Sequence, residues 1–123
     1  MIEISAHHDY WLIEPRGALS REDFATIAKQ IDPVIESNGR LGGLIIKTRT
    51  FPGWESFGGM IEHFLFVRDH HRVIDRIALV TDTPLAQIFP VIAGHFVNAD
   101  VRQFDFDDYA DAVAWMRSSR EQD

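Results

Sequence analysis

The chain has 123 residues, 46% hydrophobic and 25% charged, proportions that exclude a disordered, collagenous or membrane-embedded protein and allow one domain, 1–123, to bury its own core. Twelve basic against nineteen acidic residues leave a net charge of −7, which argues against nucleic acid and acidic membrane surfaces as partners, since both are held by clustered Lys and Arg. Cysteine is absent, so disulfide frameworks, cysteine-ligated metals and thiol catalysis are excluded together.

Ile2 to Ser5 and Tyr10 to Glu14 read as two strands of an antiparallel hairpin turning at His7, His8 and Asp9, and Pro15, Arg16 and Gly17 stop the second. Ser20 with Asp23 three residues on is a capping-box variant. Phe24, Ile27, Ala28, Ile31 and Ile35 then follow at helical spacing. Pro33 lacks the amide that would bond four residues back, so a kink or a restart capped by Asp32 is expected there, with Asn38 and Gly39 ending the helix. Leu41 to Thr48 carries Leu44, Ile45 and Ile46 in unbroken succession, the mark of a central parallel strand buried on both faces. A second helix is expected from Glu55 to about His71, on the stripe Phe57, Met60, Ile61, Phe64 and Leu65. Ile74 to Val80 is another buried strand, after which Pro84 can open a third helix that Pro90 interrupts. Val101 to Phe106 is the last strand. Asp107 or Asp108 should cap a closing helix with Tyr109, Ala112, Val113 and Met116 inside and Trp115 beside them, before a frayed tail at 118–123.

Strands alternating with helices over such short connections require right-handed crossovers and a largely parallel sheet. The expected fold is a layered α/β sandwich with five strands and four helices. The longest strictly apolar runs, such as Phe64 to Val67 and Ile77 to Val80, are four residues, far short of the ~20 that span a bilayer. The opening MIEISAHHDY has neither a basic nor an apolar signal region, so a cytoplasmic location is expected.

Ligands of open α/β sheets bind beyond the carboxyl ends of the strands, here Pro15 to Leu19, Thr48 to Ser56, Thr81 to Pro84 and Phe106 to Asp108. The second segment sets Phe51 and Trp54 around Pro52 and Gly53, where a solvent-facing loop would be polar. Two readings are open: the rings wall a pocket or partner patch, or they fold over the sheet end and plug the core. Ser56, beside Gly58 and Gly59 at the following helix start, is either a candidate phosphorylation site whose phosphate would meet free amides or a first-turn residue among closely packed glycines. His63 and His70 lie two turns apart and HExxH is absent, so no metal is expected. GxSxG, Walker A and GxGxxG are missing too, and neither a cofactor nor a catalytic residue is assigned. The alternative is an enzyme using Asp82 or Asp107 with a histidine across the strand ends.

The runs FPGWESFGGMIEHFLF, RIALVTD and HFVNADVRQFDFDDYADAVAWM resemble the SpoIIAA-like proteins related to STAS domains, over most of the chain from about Leu41 to Met116. That resemblance implies a compact α/β sandwich with a mixed sheet whose first strand is antiparallel, and a role in binding rather than catalysis. In the anti-sigma-factor antagonists of the wider STAS group a phosphorylated serine opens the helix after the third strand, within Asp-Ser-Ser-Gly. Glu55, Ser56, Phe57 and Gly58 are similar, with Phe57 rather than Ser56 opposite the usual acceptor. The resemblance also implies a small apolar or amphipathic ligand near this loop, walled by Phe51 and Trp54. The expectation is therefore a noncatalytic binding or regulatory module that takes a small molecule or a protein partner through Phe51, Gly53, Trp54, Ser56 and Gly58. Phe51, Trp54, Phe66, Val67 and Phe89 lie beyond the helical stripes, and Phe66 and Val67 must face a neighbouring helix, a ligand or another subunit, so a homodimer is also expected.

Overall fold

In the computed structural model, which describes residues 2–50, 74–84 and 100–118, the chain opens with an antiparallel hairpin of β1 (Ile2–Ala6) and β2 (Trp11–Pro15). Ile4 pairs with Ile13 and Ala6 with Trp11. The turn closes where the His7 amide donates to the Tyr10 carbonyl at 2.9 Å and the two rings stack with centroids 4.6 Å apart. Because the turn consumes that carbonyl, β2 starts one residue later than predicted. Gly17, at φ +142°, then takes the chain out of the sheet through a conformation that side-chain-bearing residues rarely adopt.

Helix α1 (Arg21–Asn38) starts with the reciprocal capping predicted from Ser20 and Asp23. The Asp23 amide donates to Ser20 Oγ at 3.2 Å, and the Ser20 amide donates to Asp23 Oδ2 at 2.9 Å. Gly39 ends the helix in the left-handed conformation, its amide donating to the Ile35 carbonyl at 2.7 Å. The restart expected at Pro33 does not occur, and α1 continues through that position. Pro33 and Lys29 both lie on the exposed side of the helix, where water can satisfy a carbonyl that has lost its helical partner.

Strands β3 (Leu41–Lys47), β4 (Ile74–Val80) and β5 (Asp100–Phe104) follow. The sheet order is β1-β2-β3-β4-β5, with β2 to β5 parallel. This is the expected mixed sheet with an antiparallel first strand. Alternation along the strands produces two cores. Ile13, Leu44, Ile77 and Leu79 pack with Phe24, Ile27 and Ile31 of α1, while Leu12, Ile45, Ala78 and Val80 pack with Ala112, Trp115 and Met116 on the other face. These last three belong to α2 (Tyr109–Arg117), which a single 3-10 turn, Phe106–Asp108, joins to β5. Asp108 holds the N-cap position, but its side chain makes no capping bond there, a correction to the predicted cap. The intervening 3-10 turn leaves Asp108 at φ −103°, ψ 32°, outside the extended conformation from which a cap reaches the helix amides. β5 also ends two residues early, because the same turn takes up Phe106.

Within β4 stands a residue that apolar patterning overlooks. Arg76 is only 2% exposed, and its Nη1 donates to the Trp115 carbonyl and, at 2.8 Å, to Ser118 Oγ. Its guanidinium lies 5.2 Å from the Trp115 ring centre, and that of Arg102 lies 4.8 Å from it. A cation is thus fixed where the carbonyls ending α2 concentrate negative charge. Ser118, where fraying was expected to begin, is held by this contact and by its own bond to the Trp115 carbonyl at 2.7 Å. The last five residues, the helices predicted over 55–71 and from Pro84, and Phe66, Val67 and Phe89 lie outside the described residues. Among the described residues no helix is long and apolar enough to cross a membrane.

Candidate functional site

The carboxyl ends of β3, β4 and β5 meet in a network that fixes where the chain leaves β3. The Arg49 carbonyl accepts from Thr81 Oγ1 at 3.2 Å and from the Asp82 amide at 2.9 Å. Thr81, which is 2% exposed, also accepts the Thr83 amide on that hydroxyl at 3.2 Å. From β5, Gln103 Nε2 donates to the carbonyls of Thr81 and Thr83 at 3.2 and 2.7 Å. Apart from the local Thr83–Thr81 bond, these join segments distant in sequence, so they hold the β3 and β4 exits in one geometry.

Side chains continue the network outward. Arg49 Nη1 donates to Asp82 Oδ2 at 3.1 Å, and its Nη2 lies 3.8 Å from Asp107 Oδ1. Asp82 Oδ1 accepts the Phe106 amide at 3.2 Å, while the Arg49 guanidinium sits 4.5 Å from the Phe106 ring centre. The ion pairs are exposed and individually worth roughly 1 kcal/mol or less. Their role is to orient the Arg49 side chain over the ring.

On the α2 face, Lys47 Nζ stands 4.8 Å from the centre of the Tyr109 ring and 5.4 Å from that of Phe106. The Tyr109 hydroxyl is 2.6 Å from that of Tyr10. Burial, and then the bond to Tyr10, push the Tyr109 phenol well above the usual tyrosine range, so it stays neutral through neutral pH. The end of the sheet therefore offers a half-buried ammonium, two aromatic faces and a braced backbone.

The predicted site residues Phe51, Gly53, Trp54, Ser56 and Gly58 lie outside the described residues. Their upstream anchor, Thr48 to Thr50, is described, with Thr48 Oγ1 donating to the Thr50 carbonyl at 3.0 Å. Asp82 and Asp107, the carboxylates of the enzyme alternative, both face Arg49. The described histidines, His7 and His8, sit in the β1–β2 turn at the amino end of β2, across the sheet from them. There they line a groove of about 250 Å³ with Tyr10, Asn38, Gly42 and Met116. Among the described residues no group of three His, Cys, Asp or Glu side chains could hold a metal. Sequence reasoning missed Lys47 and Arg49. The available signal was one basic residue ending a buried strand and another two positions past it, in a chain with only two lysines.

No protein of curated function matches the chain. Among solved structures it is similar to an uncharacterized protein of the DUF3478 family with a SpoIIAA-like fold from Shewanella loihica PV-4. The two are 22% identical and superpose with a TM-score of 0.65, over 94% of this chain and 92% of that one. At that identity the likeness speaks for the fold alone. The SpoIIAA-like family model matches residues 11–117, a span that runs from β2 through α2 and takes in the whole braced sheet end, and the chain belongs to the SpoIIAA-like family.

Proposed function

We propose that the protein is a noncatalytic STAS-like binding or regulatory module that recognises a small apolar or amphipathic ligand, or a protein partner, through the segment from Thr50 to Gly59. The observation that carries this reading is the bracing of Arg49, whose carbonyl and side chain are both held by residues of the β4 and β5 exits. A loop leaving a fixed take-off point loses less conformational entropy when it closes on a ligand. Phe51 and Trp54 follow just downstream in sequence as large apolar residues, with Gly53, Ser56 and Gly58 among them. Family membership supports the same reading, since SpoIIAA-like and STAS folds are often regulatory binding modules. Replacing Trp54 with Ala should weaken capture of an apolar probe such as 1-octanol at least about tenfold while the melting temperature stays near that of the wild type. A large fall in melting temperature with unchanged capture would instead make Trp54 a core plug and refute the reading.

A further inference from the structure

We propose that β1 is the interface of a two-fold dimer, in which it pairs antiparallel with β1 of a second copy and the two sheets become one. Among the described strands β1 ends the sheet, with β2 as its one neighbour. The His7 amide donates to the Tyr10 carbonyl, so in the antiparallel ladder the backbones of His7, Ser5 and Glu3 face β2 and those of Ile2, Ile4 and Ala6 face outward. Pro15 obeys the same alternation, since it stands opposite Ile2, in a pair that needs no amide from it. Exposed edges are ordinarily guarded by lysine, proline or a bulge. Ile2–Ala6 contains neither residue, and its register with β2 runs unbroken.

The strand fits a second copy of itself. Complete overlap of two antiparallel copies of Ile2–Ala6 places the two-fold axis at Ile4. Ile4 then meets its own counterpart and Ile2 meets Ala6, the positions whose amides and carbonyls point outward, so donors meet acceptors along the whole strand. The half-buried Ile2 and Ile4, which pack against the α1 core, continue that core into the second copy. On the other face Glu3 meets Ser5 rather than another Glu3, and its charge is already answered by Arg16 at 2.7 Å. The β5 edge lacks this fit. There the Thr81 amide donates to the Phe104 carbonyl, which turns Phe104 and Arg102 toward β4 and leaves Val101 and Gln103 outward. Complete overlap of Asp100–Phe104 with itself would set two Arg102 side chains directly opposite each other, a destabilising like-charge pair. Joining β1 to β5 would repeat from copy to copy without closing.

Sedimentation equilibrium of the full chain tests this. Wild type at about 100 µM should show twice the 14.1 kDa of one chain and should dissociate on dilution. Ala6→Pro removes an outward amide while leaving the β1–β2 ladder intact, and it should raise the dimer dissociation constant about a hundredfold. Ser5 is exposed, so its replacement tests the register without touching the core. Ser5→Glu sets a carboxylate opposite Glu3 of the second copy and should weaken the dimer about tenfold, whereas Ser5→Lys sets an ammonium there and should keep or tighten it. Circular dichroism matching the wild type establishes that each variant is folded. A monomeric wild type at that concentration would overturn the proposal, as would a mass that grows past the dimer with concentration. A dimer indifferent to the sign of the charge placed at Ser5 would overturn it too, and would put the contact elsewhere on the molecule.

Discussion

Replacing Arg76 by Met, Lys or Ala separates the two ways in which a buried guanidinium can secure α2. Gross terms favouring the arginine are a charge-assisted hydrogen-bond set worth about 1.5–3 kcal/mol, a cation at a helix C-terminus worth about 0.3–2 kcal/mol and a stacking contact worth about 0.5–2 kcal/mol. Against them stands the desolvation of a group that is 2% exposed, several kcal/mol in a protein interior. The Trp115 carbonyl is not orphaned when the guanidinium goes, because the Ser118 amide and hydroxyl still donate to it at 3.2 and 2.7 Å. Arg76→Met, which keeps most of the volume, should therefore cost no more than about 2 kcal/mol, or roughly 3–6 °C of melting temperature per kcal/mol lost. Arg76→Ala adds a cavity beneath Trp115 and should cost about 3–5 kcal/mol. Lys supplies the charge without the planar fork and should fall between them. Urea denaturation followed by far-ultraviolet circular dichroism measures the stabilities, and hydrogen exchange of the last turn of α2 measures its docking. The clamp would be refuted if Arg76→Ala stayed within about 0.5 kcal/mol of wild type and exchange in that turn were unaltered.

Two other perturbations test the packing and the phenol pair. A Cβ built on Gly43 would come 2.5 Å from Met116 Sδ, 3.1 Å from the Asp9 carbonyl oxygen and 3.3 Å from Tyr10 Cβ. The methionine can swing away but the backbone oxygen cannot, so Gly43→Ala should cost about 1–3 kcal/mol by denaturant titration, and the combined Gly43→Ala and Met116→Ala change should cost less than the sum of the two. The Tyr109 phenol is raised above its unfolded value of 10.0; above that pH the unfolded chain gives up a proton that the folded chain keeps, so stability is full below about pH 10 and falls as pH rises. Tyr109→Phe should flatten that alkaline slope in denaturation curves taken from pH 8 to pH 11, and an unchanged slope would show that the phenol does not contribute to it.

What the sequence conveys follows the range of the interactions involved. Ile74–Val80 is bounded as predicted because seven consecutive residues between turn signals report their own burial, and Ser20 with Asp23 is legible because both halves of a capping box lie within one turn. Pro33 does not restart the helix, because the local rule omits that the position is exposed and water can replace the lost helical bond. Asp108 misleads because one 3-10 turn changes the backbone angle that a cap needs. Arg76 is invisible to periodicity, since its partners Trp115 and Ser118 arrive only when α2 folds over β4. The candidate site divides in the same way. Aromatic composition marks Phe51 and Trp54, whereas the setting of Lys47 between Tyr109 and Phe106 depends on β3 and the approach to α2 being brought side by side.

The chain-order arrangement of the strands bears on how such a protein diverges. Doubly wound sheets reverse their strand order once, and the two loops that part at the reversal open a crevice where ligands lodge. Here each described strand lies beside its predecessor from β1 to β5, so the sheet provides no such parting. A binding pocket at its carboxyl end must be enclosed by the connecting segments themselves. Ligand preference can then shift through changes in the length and side chains of those segments, while the strands beneath keep their register.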